Sequence, residues 1–443
     1  AALVAVAALP VLGGGLATGR SFTDVPNYWR DASTWLDDQP DSRALVVPAS
    51  SFATFLWGRT NDEPFQALGD TAWSVRDSVP LSTAGNIRLL DEISAQLESG
   101  RGSDTLAALL GRSGFTHIVV RNDLDPGTAE TPRSTVVRSA LTNSPGLTKS
   151  AVFGIGGGSP AAGGLVVADG LDGAYPPVEV FTVDPALVTG PTDVVLRDAA
   201  QPVRVRGGAE SLSALADADG TVVIAGDPGT ETLPAGVVLG TDTLRRQEVN
   251  FGRVRSNRSE TMTVNGEYAA ERPVHDYVDR ADLGQSVAQY SGGVNFQAST
   301  SASDPNAVAE WSLAEAPAAA MDGDPDTSWQ SSAAGSSVGQ WWQIDFATPV
   351  TMPDTVAVVL RGGSNGAPPT SVDVSTDAGS VRTEVPEVAA GDDIAVTLAV
   401  VPGTTEHLRI TATGWASDEP DTGFGIAAVA LPIGEVQRTV VAL

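Results

Sequence analysis

The chain has 443 residues, of which 42% are apolar and 18% charged, a composition typical of two to four globular domains rather than of a disordered protein. Its 54 acidic and 26 basic residues give a net charge of -28, which repels phosphate backbones and anionic lipids and so excludes nucleic acid as a partner. A neutral glycan would not be repelled. The absence of cysteine excludes disulfides, zinc–thiolate sites and thiol catalysis.

Residues 1–19 are uncharged and mostly apolar, with glycine and proline among them. The stretch is short for a complete membrane span. It also has no basic residues ahead of its apolar run, as an intact signal peptide would. We interpret it as the end of a transmembrane helix, with a processed signal remnant or a buried segment as the alternatives.

Residues 20–150 carry the pattern of an α/β domain. Apolar runs predict strands at 43–49 and 116–123. Between them, apolar residues spaced by three and four predict helices at 86–100 and 103–114, each with a glycine at its end. Because helices alternate with apolar strands, we expect a small, partly parallel sheet.

Three further segments complete the predicted organisation. Residues 151–250 repeat the strand–helix–strand pattern and form either a second α/β unit or the completion of the first. Residues 251–290 are polar and irregular, which indicates a linker. Residues 291–435 contain short alternating strands between turns rich in Pro, Gly and Asp, which predicts a β-sandwich.

An acidic loop, MDGDPDTSW, lies within the predicted sandwich. Asp322, Asp324 and Asp326 occupy alternate positions, as at the start of an EF-hand loop. An EF-hand needs Gly at the sixth position and Glu at the twelfth, where this chain has Thr327 and Ala333, so that class of site is excluded. A tight turn, capped by Asp322 and Thr327 through hydrogen bonds to backbone amides, is one explanation of the pattern.

Four ordered segments indicate a second explanation. The segments ASTSASD (298–304), AAAMDGDPDTSW (318–329), QWWQIDF (340–346) and FGIAAVAL (424–431) resemble the discoidin family, also called F5/8 type C. Its members are jelly-roll β-sandwiches found in coagulation factors and in many carbohydrate-binding modules. The resemblance covers about 140 residues. It therefore implies a discoidin-like jelly roll after the α/β part.

The discoidin resemblance also implies a structural Ca²⁺ ion in the acidic loop. Mixed hard oxygen ligands of the kind that this family uses suit Ca²⁺. Carried over to this chain, the ligands are the carbonyls of Ala319, Asp324 and Ala427, the carboxylate of Asp322, and Thr327. The family's closing glutamate is replaced by Ala428, so the resemblance implies a weakened site.

Tryptophans near the predicted strands separate into two groups. Trp329 and Trp341 match core positions of the discoidin family, so we assign them to packing. Trp311 and Trp415 lie in predicted loops beside the strands. Because an exposed indole ring can stack on the C–H face of a sugar, we predict that Trp311 and Trp415 bind the glycan.

The α/β part resembles a second family. Segments 25–40, 73–126, 179–183 and 241–252 resemble the periplasmic part of the arabinofuranosyltransferase D family of mycobacteria and corynebacteria, in which a discoidin-type module follows. The resemblance implies that the chain is part of a large multi-pass glycosyltransferase. Such enzymes use decaprenyl-phosphoryl arabinofuranose to extend the arabinan of arabinogalactan and lipoarabinomannan. It places the catalytic carboxylates in a membrane domain outside this chain, so no catalytic residue is carried over.

Together the resemblances imply the exoplasmic, glycan-binding portion of a cell-wall arabinofuranosyltransferase, on the periplasmic face of an actinobacterial membrane. Its partners would be cell-wall arabinan and its own membrane domain, and whether this portion is itself an enzyme stays open. A secreted glycoside hydrolase with a binding module is the alternative, and it requires a catalytic pair of carboxylates within residues 20–250. A purely structural scaffold is the third hypothesis.

Overall fold

The chain divides into two compact units, Ala1–Leu239 with Phe251–Ser256 and Gly240–Asn250 with Asn257–Leu443. The computed structural model describes residues 22, 24–77, 84–125, 127, 131–155, 175–188, 198–216, 221–227, 229–234, 236–246, 254, 260–266, 285–304, 312–332, 336–362, 366–415 and 423–442.

The first unit contains both helices and strands. Its α-helices are α1 (Asn27–Asp37), α2 (Phe65–Leu68), α3 (Ala84–Glu98), α4 (Leu106–Arg112) and α5 (Ser134–Thr142), and its 3-10 helices are Ala209–Leu215 and Thr230–Thr232. Its strands are β1 (Arg43–Val47), β2 (Ala53–Phe55), β3 (Gly58–Asn61), β4 (Ala72–Val75), β5 (His117–Arg121), β6 (Leu147–Phe153), β7 (Val178–Val183), β8 (Val203–Arg206) and β9 (Val222–Ile224), with β10 (Val237–Gly240) at its end.

The main sheet of the first unit has the strand order β4-β1-β5-β7-β6. Strand β1 pairs in parallel with β4 and β5, whereas β7 pairs antiparallel with β5 and β6. A smaller sheet has the order β10-β8-β9, and β2 and β3 form a hairpin. The predicted partly parallel α/β sheet is therefore confirmed, and β7, from the segment 151–250, lies inside the same sheet as β1.

Both faces of the main sheet are covered, which is why its central strands are continuous apolar runs. On one face, Leu45 and Val47 of β1 pack with apolar residues of α3, α4 and α5. On the other face, Ala44 and Val46 pack with α1, whose Trp29 is fully buried. Side chains alternate along a strand, so one β1 sequence serves both layers of helices.

The second unit is dominated by strands. They are β11 (Ser286–Tyr290), β12 (Asn295–Ala298), β13 (Trp329–Gln330), β14 (Trp341–Met352), β15 (Thr355–Gly362), β16 (Ser371–Thr376), β17 (Gly379–Glu384), β18 (Ile394–Ala399), β19 (Gly403–Gly414), β20 (Phe424–Ala430) and β21 (Arg438–Ala442). Short 3-10 helices occupy Ser291–Gly293, Leu313–Glu315 and Pro317–Met321.

Two sheets of the second unit enclose one apolar core, as the sandwich prediction required. Their orders are β12-β14-β19-β16-β17 and β13-β20-β15-β18. Trp342 and Ile344 of β14 and Leu360 of β15 belong to the same buried cluster, so the core is shared by both sheets. Alternation along β14 directs Trp342 and Ile344 inward.

Two strands lie outside the boundaries that the sequence predicted for the sandwich. Strand β11, at 286–290, falls within the segment predicted as a linker, and β21, at 438–442, lies beyond the predicted end at 435. They pair antiparallel with each other over their full length. Each is a single short strand whose partner is about 150 residues away, and such a partner leaves no local signal.

None of the helices in the described part of the chain is both long and apolar enough to cross a membrane. The stretch 1–19, interpreted above as the end of a transmembrane helix, lies outside the described residues.

Candidate functional site

The acidic loop of the second unit is closed by its own side chains. The Asp322 carboxylate accepts hydrogen bonds from the Asp324 backbone N–H at 3.0 Å and from Thr327, whose Oγ1 lies 3.0 and 2.9 Å from its two oxygens. The same Thr327 Oγ1 is 3.1 Å from the Asp324 carbonyl oxygen. Asp322 thus caps the turn through a backbone amide, as the sequence suggested, whereas Thr327 donates to the Asp322 carboxylate and the Asp324 carbonyl and contacts no amide through its hydroxyl. This turn is compatible with a cation site, because the same oxygens can bind a metal ion.

Glu435 is a candidate residue of this loop that the sequence analysis missed. Gly323 adopts a φ of 79°, and a Cβ atom added to it would lie 2.9 Å from both carboxylate oxygens of Glu435. The backbone N–H of Val436 donates to the Met321 carbonyl at 2.8 Å, which fixes this segment against the loop. The Glu435 carboxylate therefore lies beside Gly323 of the acidic loop, contributed from more than a hundred residues further along the chain.

The other predicted calcium ligands come from two neighbouring elements. Ala319 is buried in the 3-10 helix Pro317–Met321, which packs against β20. Ala427 lies at a register shift of β20, where Ala428 and Ile426 pair with consecutive residues of β15. A residue in such a bulge is left out of the regular ladder, so its carbonyl can face a ligand. Ala428 itself is exposed.

This donor set fits Ca²⁺ through oxygen atoms of mixed kind. Among the described residues, no three acidic or histidine side chains come close enough together to hold a metal ion. A calcium ion here would thus depend on the carbonyls of Ala319, Asp324 and Ala427 in addition to Asp322 and Thr327. The calcium site remains a prediction.

The tryptophans of the sandwich have unequal exposure. Trp329 and Trp342 are fully buried, and their indole N–H groups donate to backbone carbonyls, that of Trp342 to Pro317 at 2.7 Å. Trp341 is half-buried on the outer face of β14, with the Arg409 guanidinium 4.0 Å from its ring centroid. The indoles of Trp329 and Trp342 therefore serve packing. The assignment of Trp341 to the core was wrong, because alternation along β14 directs Trp342 rather than Trp341 inward.

The structure describes only one of the two predicted sugar-binding tryptophans. Trp311 lies outside the described residues. Trp415 follows β19 and is half-buried; its N–H donates to the Ala367 carbonyl at 3.1 Å, and part of its ring packs against the sandwich core. The hydrogen bond to Ala367 anchors Trp415, and its role as the sugar-binding platform remains a prediction.

A buried carboxylate in the first unit was also missed from the sequence. Asp123 follows β5 and is only 4% exposed. Its Oδ2 accepts three hydrogen bonds, each of 2.9 Å, from the Tyr28 hydroxyl and from the indole N–H groups of Trp29 and Trp57. Burial raises the pKa of Asp123 from 3.8 to about 6, although these three hydrogen bonds oppose the rise. Burial, together with the neighbouring charge of Asp123, also raises the pKa of Tyr28.

The other buried carboxylates of this unit are held by cations. Glu63 is paired with the fully buried guanidinium of Arg121, and burial raises the pKa of Glu63. Glu179 of β7 is fully buried, and its oxygens accept from Arg138 at 2.5 and 3.1 Å and from Lys149 at 3.3 Å. Such pairs join elements of the fold to one another, because each partner would be costly to bury alone.

Two family models match the chain, and together they define the class of protein. A family model described as F5/8 type C domain matches residues 296–424, in agreement with the sandwich and its acidic loop. A model described as the N-terminal GT-C domain of alpha-(1->3)-arabinofuranosyltransferase matches residues 1–276. The chain therefore combines a discoidin-like domain with a segment of a GT-C glycosyltransferase family.

Relatives agree with both matches. An alpha-(1->3)-arabinofuranosyltransferase of Mycolicibacterium smegmatis is 37% identical over 429 residues, covering 93% of this chain and 30% of the relative. The protein of that name from Mycobacterium tuberculosis is 36% identical over 451 residues, covering 97% and 31%. A cryo-EM structure of arabinofuranosyltransferase AftD from Mycobacteria superposes with a TM-score of 0.71 at 33% identity, covering 100% of this chain and 34% of that one. This chain belongs to the alpha-(1->3)-arabinofuranosyltransferase family, and it spans about a third of the length of these relatives.

Proposed function

We propose that this chain is the exoplasmic, glycan-binding portion of a membrane arabinofuranosyltransferase that builds cell-wall arabinan in an actinobacterium. The observation that carries the proposal is the combination, within one chain, of family membership and an F5/8 type C domain. In this proposal the catalytic membrane domain belongs to the same parent protein, and the second unit holds the growing glycan near it. Retention raises the local concentration of acceptor without any chemistry by the binding domain.

The charge of the chain suits a neutral glycan better than an anionic polymer. With 54 acidic and 26 basic residues, the surface repels polyanions but leaves uncharged sugars unaffected. The half-buried rings of Trp415 and Trp341 provide aromatic surface on the second unit. A neutral arabinan can use such rings together with hydrogen bonds from nearby polar groups.

The buried carboxylates of the first unit favour binding over the alternative of a secreted hydrolase. A glycoside hydrolase needs an acid and a base on either side of one sugar bond. Glu63 and Glu179 are instead paired with arginines, and Asp123 is enclosed by three aromatic donors. These three groups are occupied by contacts that stabilise the fold.

Calcium belongs to the same proposal as a structural ion. Asp322 and Thr327, with the carbonyls named above, would hold it and fix the turn between the 3-10 helix Pro317–Met321 and β13. The ion would supply only the rigidity of this loop. Because Ala428 replaces the family glutamate, we propose that the carboxylate of Glu435, which lies beside Gly323, compensates for it.

The test of glycan binding is calorimetric titration of the intact chain with synthetic arabinan fragments. Trp415→Ala removes the proposed platform, and we expect a loss of affinity of about fivefold or more, since stacking of a nucleic-acid base on an aromatic side chain contributes about 1–3 kcal/mol. Trp35→Phe, on α1 of the first unit, is the matched control and should leave the affinity unchanged. If the wild-type chain binds no envelope glycan, or if both variants bind alike, the proposal is wrong.

A further inference from the structure

The β2–β3 hairpin of the first unit carries large apolar side chains at the protein surface. Its turn consists of Leu56 and Trp57, both half-buried. Phe22 packs edge-on against the Trp57 ring, with 5.4 Å between the ring centroids, and is itself 39% exposed. We call Phe22, Leu56 and Trp57 the apolar tip. Apolar side chains that lie together at a surface mark interaction sites more often than single ones do.

The apolar tip is fixed to the end of β5. The Leu56 N–H donates to the Asp123 carbonyl at 2.8 Å, and the Trp57 indole N–H donates to Asp123 Oδ2 at 2.9 Å. The Trp57 ring also stacks on the buried Phe55, with 4.9 Å between the ring centroids. Because the indole N–H is the one polar group of this side chain and is bonded to Asp123, the rest of the Trp57 ring is apolar.

The hairpin differs from the chain as a whole in its charge. Residues 49–61 contain no Asp or Glu, and their one basic residue, Arg59, is exposed. Asp24, the acidic residue that follows Phe22 in the chain, is paired with Arg30 at 2.8 Å. A segment without carboxylates can enter a phase of low dielectric constant without the cost of desolvating an anion.

The position of Phe22 in the chain indicates which apolar phase the tip contacts. The uncharged stretch 1–19 ends three residues before Phe22. Three residues span at most about 11 Å. The polar layer on each side of a bilayer is about 5–8 Å thick. With residues 1–19 as the end of a transmembrane helix, as interpreted from the sequence, Phe22 lies within the headgroup layer or just beyond it.

We propose that the apolar tip lies in the headgroup layer of a zwitterionic bilayer and fixes the first unit at the membrane surface. Phe22 and Trp57 enter the interface, where tryptophan is enriched, and attachment strengthens with the apolar area that they bury. Arg59 donates hydrogen bonds to lipid phosphates. The net charge of -28 disfavours an anionic surface, so the lipid is zwitterionic.

This inference rests on the membrane location in the proposed function and adds to it the surface that faces the lipid. The contact is made by the first unit, whereas the proposed glycan site belongs to the second unit. Because Asp123 joins the tip to the end of β5, the hairpin transmits the position of the bilayer to the main sheet. The two sites are therefore tested by separate readouts.

The experiment uses the absence of cysteine from the chain, which allows one fluorophore at a chosen position. Arg59→Cys carries the fluorophore on the hairpin. Leu187→Cys is the matched control, because Leu187 is 39% exposed and follows β7, beside the start of β5 rather than its end. Both intact chains are reconstituted into phosphatidylcholine nanodiscs, with and without lipids that carry a nitroxide quencher on the headgroup.

We expect the headgroup nitroxide to quench the fluorophore at Arg59→Cys and to leave that at Leu187→Cys unquenched. Adding Phe22→Ser to Arg59→Cys should reduce the quenching, whereas adding Leu187→Ser should leave it unchanged, since Phe22 and Leu187 have the same exposed fraction of 39%. Arabinan fragments titrated into the same samples report the second unit, so a failure of glycan binding is recorded separately.

Three results would overturn the inference. They are the absence of quenching at Arg59→Cys, equal quenching at Arg59→Cys and Leu187→Cys, and unchanged quenching after Phe22→Ser. A tip that docks on another protein instead of lipid gives the first of these results, because the nanodiscs contain lipid and this chain alone. If Phe22→Ser loses its cooperative melting transition, the comparison of the two labelled positions decides the outcome.

Discussion

At the scale of single residues, Asp123 lies in an environment unlike that of an ordinary surface carboxylate. Three donors converge on its Oδ2, whereas its buried Oδ1 has no hydrogen-bond partner within the described residues. Its pKa is raised to about 6 because burial outweighs those hydrogen bonds. The aromatic donors Tyr28, Trp29 and Trp57 come from α1 and from the β2–β3 turn, so this carboxylate joins both elements to the end of β5.

The raised pKa of Asp123 predicts a specific pH dependence of stability. The folded state keeps the proton up to about pH 6 and the unfolded state releases it near pH 3.8, so stability falls as the pH rises through this window. A difference of about 2 pKa units corresponds to about 3 kcal/mol. We expect Asp123→Asn to abolish this loss. In denaturant titrations, the free energy of unfolding of the variant, relative to that of wild type, should therefore increase by about 3 kcal/mol between pH 4 and 7.

Asp31→Asn, at an exposed position of α1, is the control for removal of a charge. It should keep the wild-type pH profile between pH 4 and 7. A parallel pH profile for Asp123→Asn and wild type would contradict the assignment of a buried, proton-binding carboxylate.

Calcium binding is also decided by single residues. If Asp322 supplies the carboxylate ligand, millimolar Ca²⁺ should raise the melting temperature of wild type, and Asp322→Asn should remove this increase. A ligand that binds only the folded state stabilises the protein by about 2.7 kcal/mol when its concentration is 100 times the Kd.

Asp326→Asn in the same loop is the control. It should respond to Ca²⁺ as wild type does, since the Asp326 carboxylate is not among the predicted ligands. Ala428→Glu should restore the family ligand and tighten calcium binding. If calcium raises the melting temperature of Asp322→Asn and of wild type equally, as measured by calorimetry, Asp322 is not a calcium ligand.

At the scale of elements, β14 shows how one strand defines two surfaces. Its inward residues, among them Trp342 and Ile344, are fully buried in the core shared by both sheets. Its outward residues form a polar ladder in which Arg409 donates to Gln343 at 2.7 Å and Gln343 donates to Asp345 at 2.5 Å. The two-residue period of a strand separates these groups without any further constraint.

This arrangement predicts where β14 is sensitive to substitution. Ile344→Ala should lower the free energy of unfolding of the second unit by about 2–5 kcal/mol, because it removes buried methyl groups and leaves a cavity. Val338→Ala, at a residue that is 50% exposed, is the matched control and should cost less than about 0.5 kcal/mol. Denaturant titration followed by tryptophan fluorescence measures both values. Similar losses in both variants would mean that Ile344 is not a core residue.

At the scale of the whole molecule, the excess of acidic residues is the dominant feature. A net charge of -28 destabilises a compact chain through self-repulsion, and salt screens this repulsion over about 10 Å at 0.1 M. The ion pair Arg121–Glu63 is buried and the pair Arg138–Glu179 is partly buried, so both are screened much less.

We therefore expect the melting temperature of the intact chain to rise between 10 and 150 mM NaCl, as calorimetry would record. A neutral osmolyte at matched osmolality controls for effects unrelated to charge, and it should give a smaller rise over the same range. A melting temperature that falls with added NaCl would mean that surface ion pairs outweigh the repulsion.

How well the sequence predicts a structural feature depends on how far apart in the chain the interacting residues lie. The helices α3 and α4 and strands β1 and β5 were predicted within a few residues, because their periodicity is written in consecutive positions. The acidic loop and the burial of Trp329 were predictable from the ordered motifs of a known family. Glu435 beside Gly323, the donors around Asp123 and the pairing of β11 with β21 were not, since each joins residues far apart in sequence.

The sequence by itself determined the class of this protein: an acidic, cysteine-free chain with an α/β part and a discoidin-like sandwich of the arabinofuranosyltransferase family. Only the tertiary structure decided which carboxylates are buried and paired, and that Trp342 rather than Trp341 enters the core of the sandwich. The physical reason is that hydrophobic periodicity is a local property of the chain, whereas burial and charge neighbourhoods exist only once distant segments have packed together.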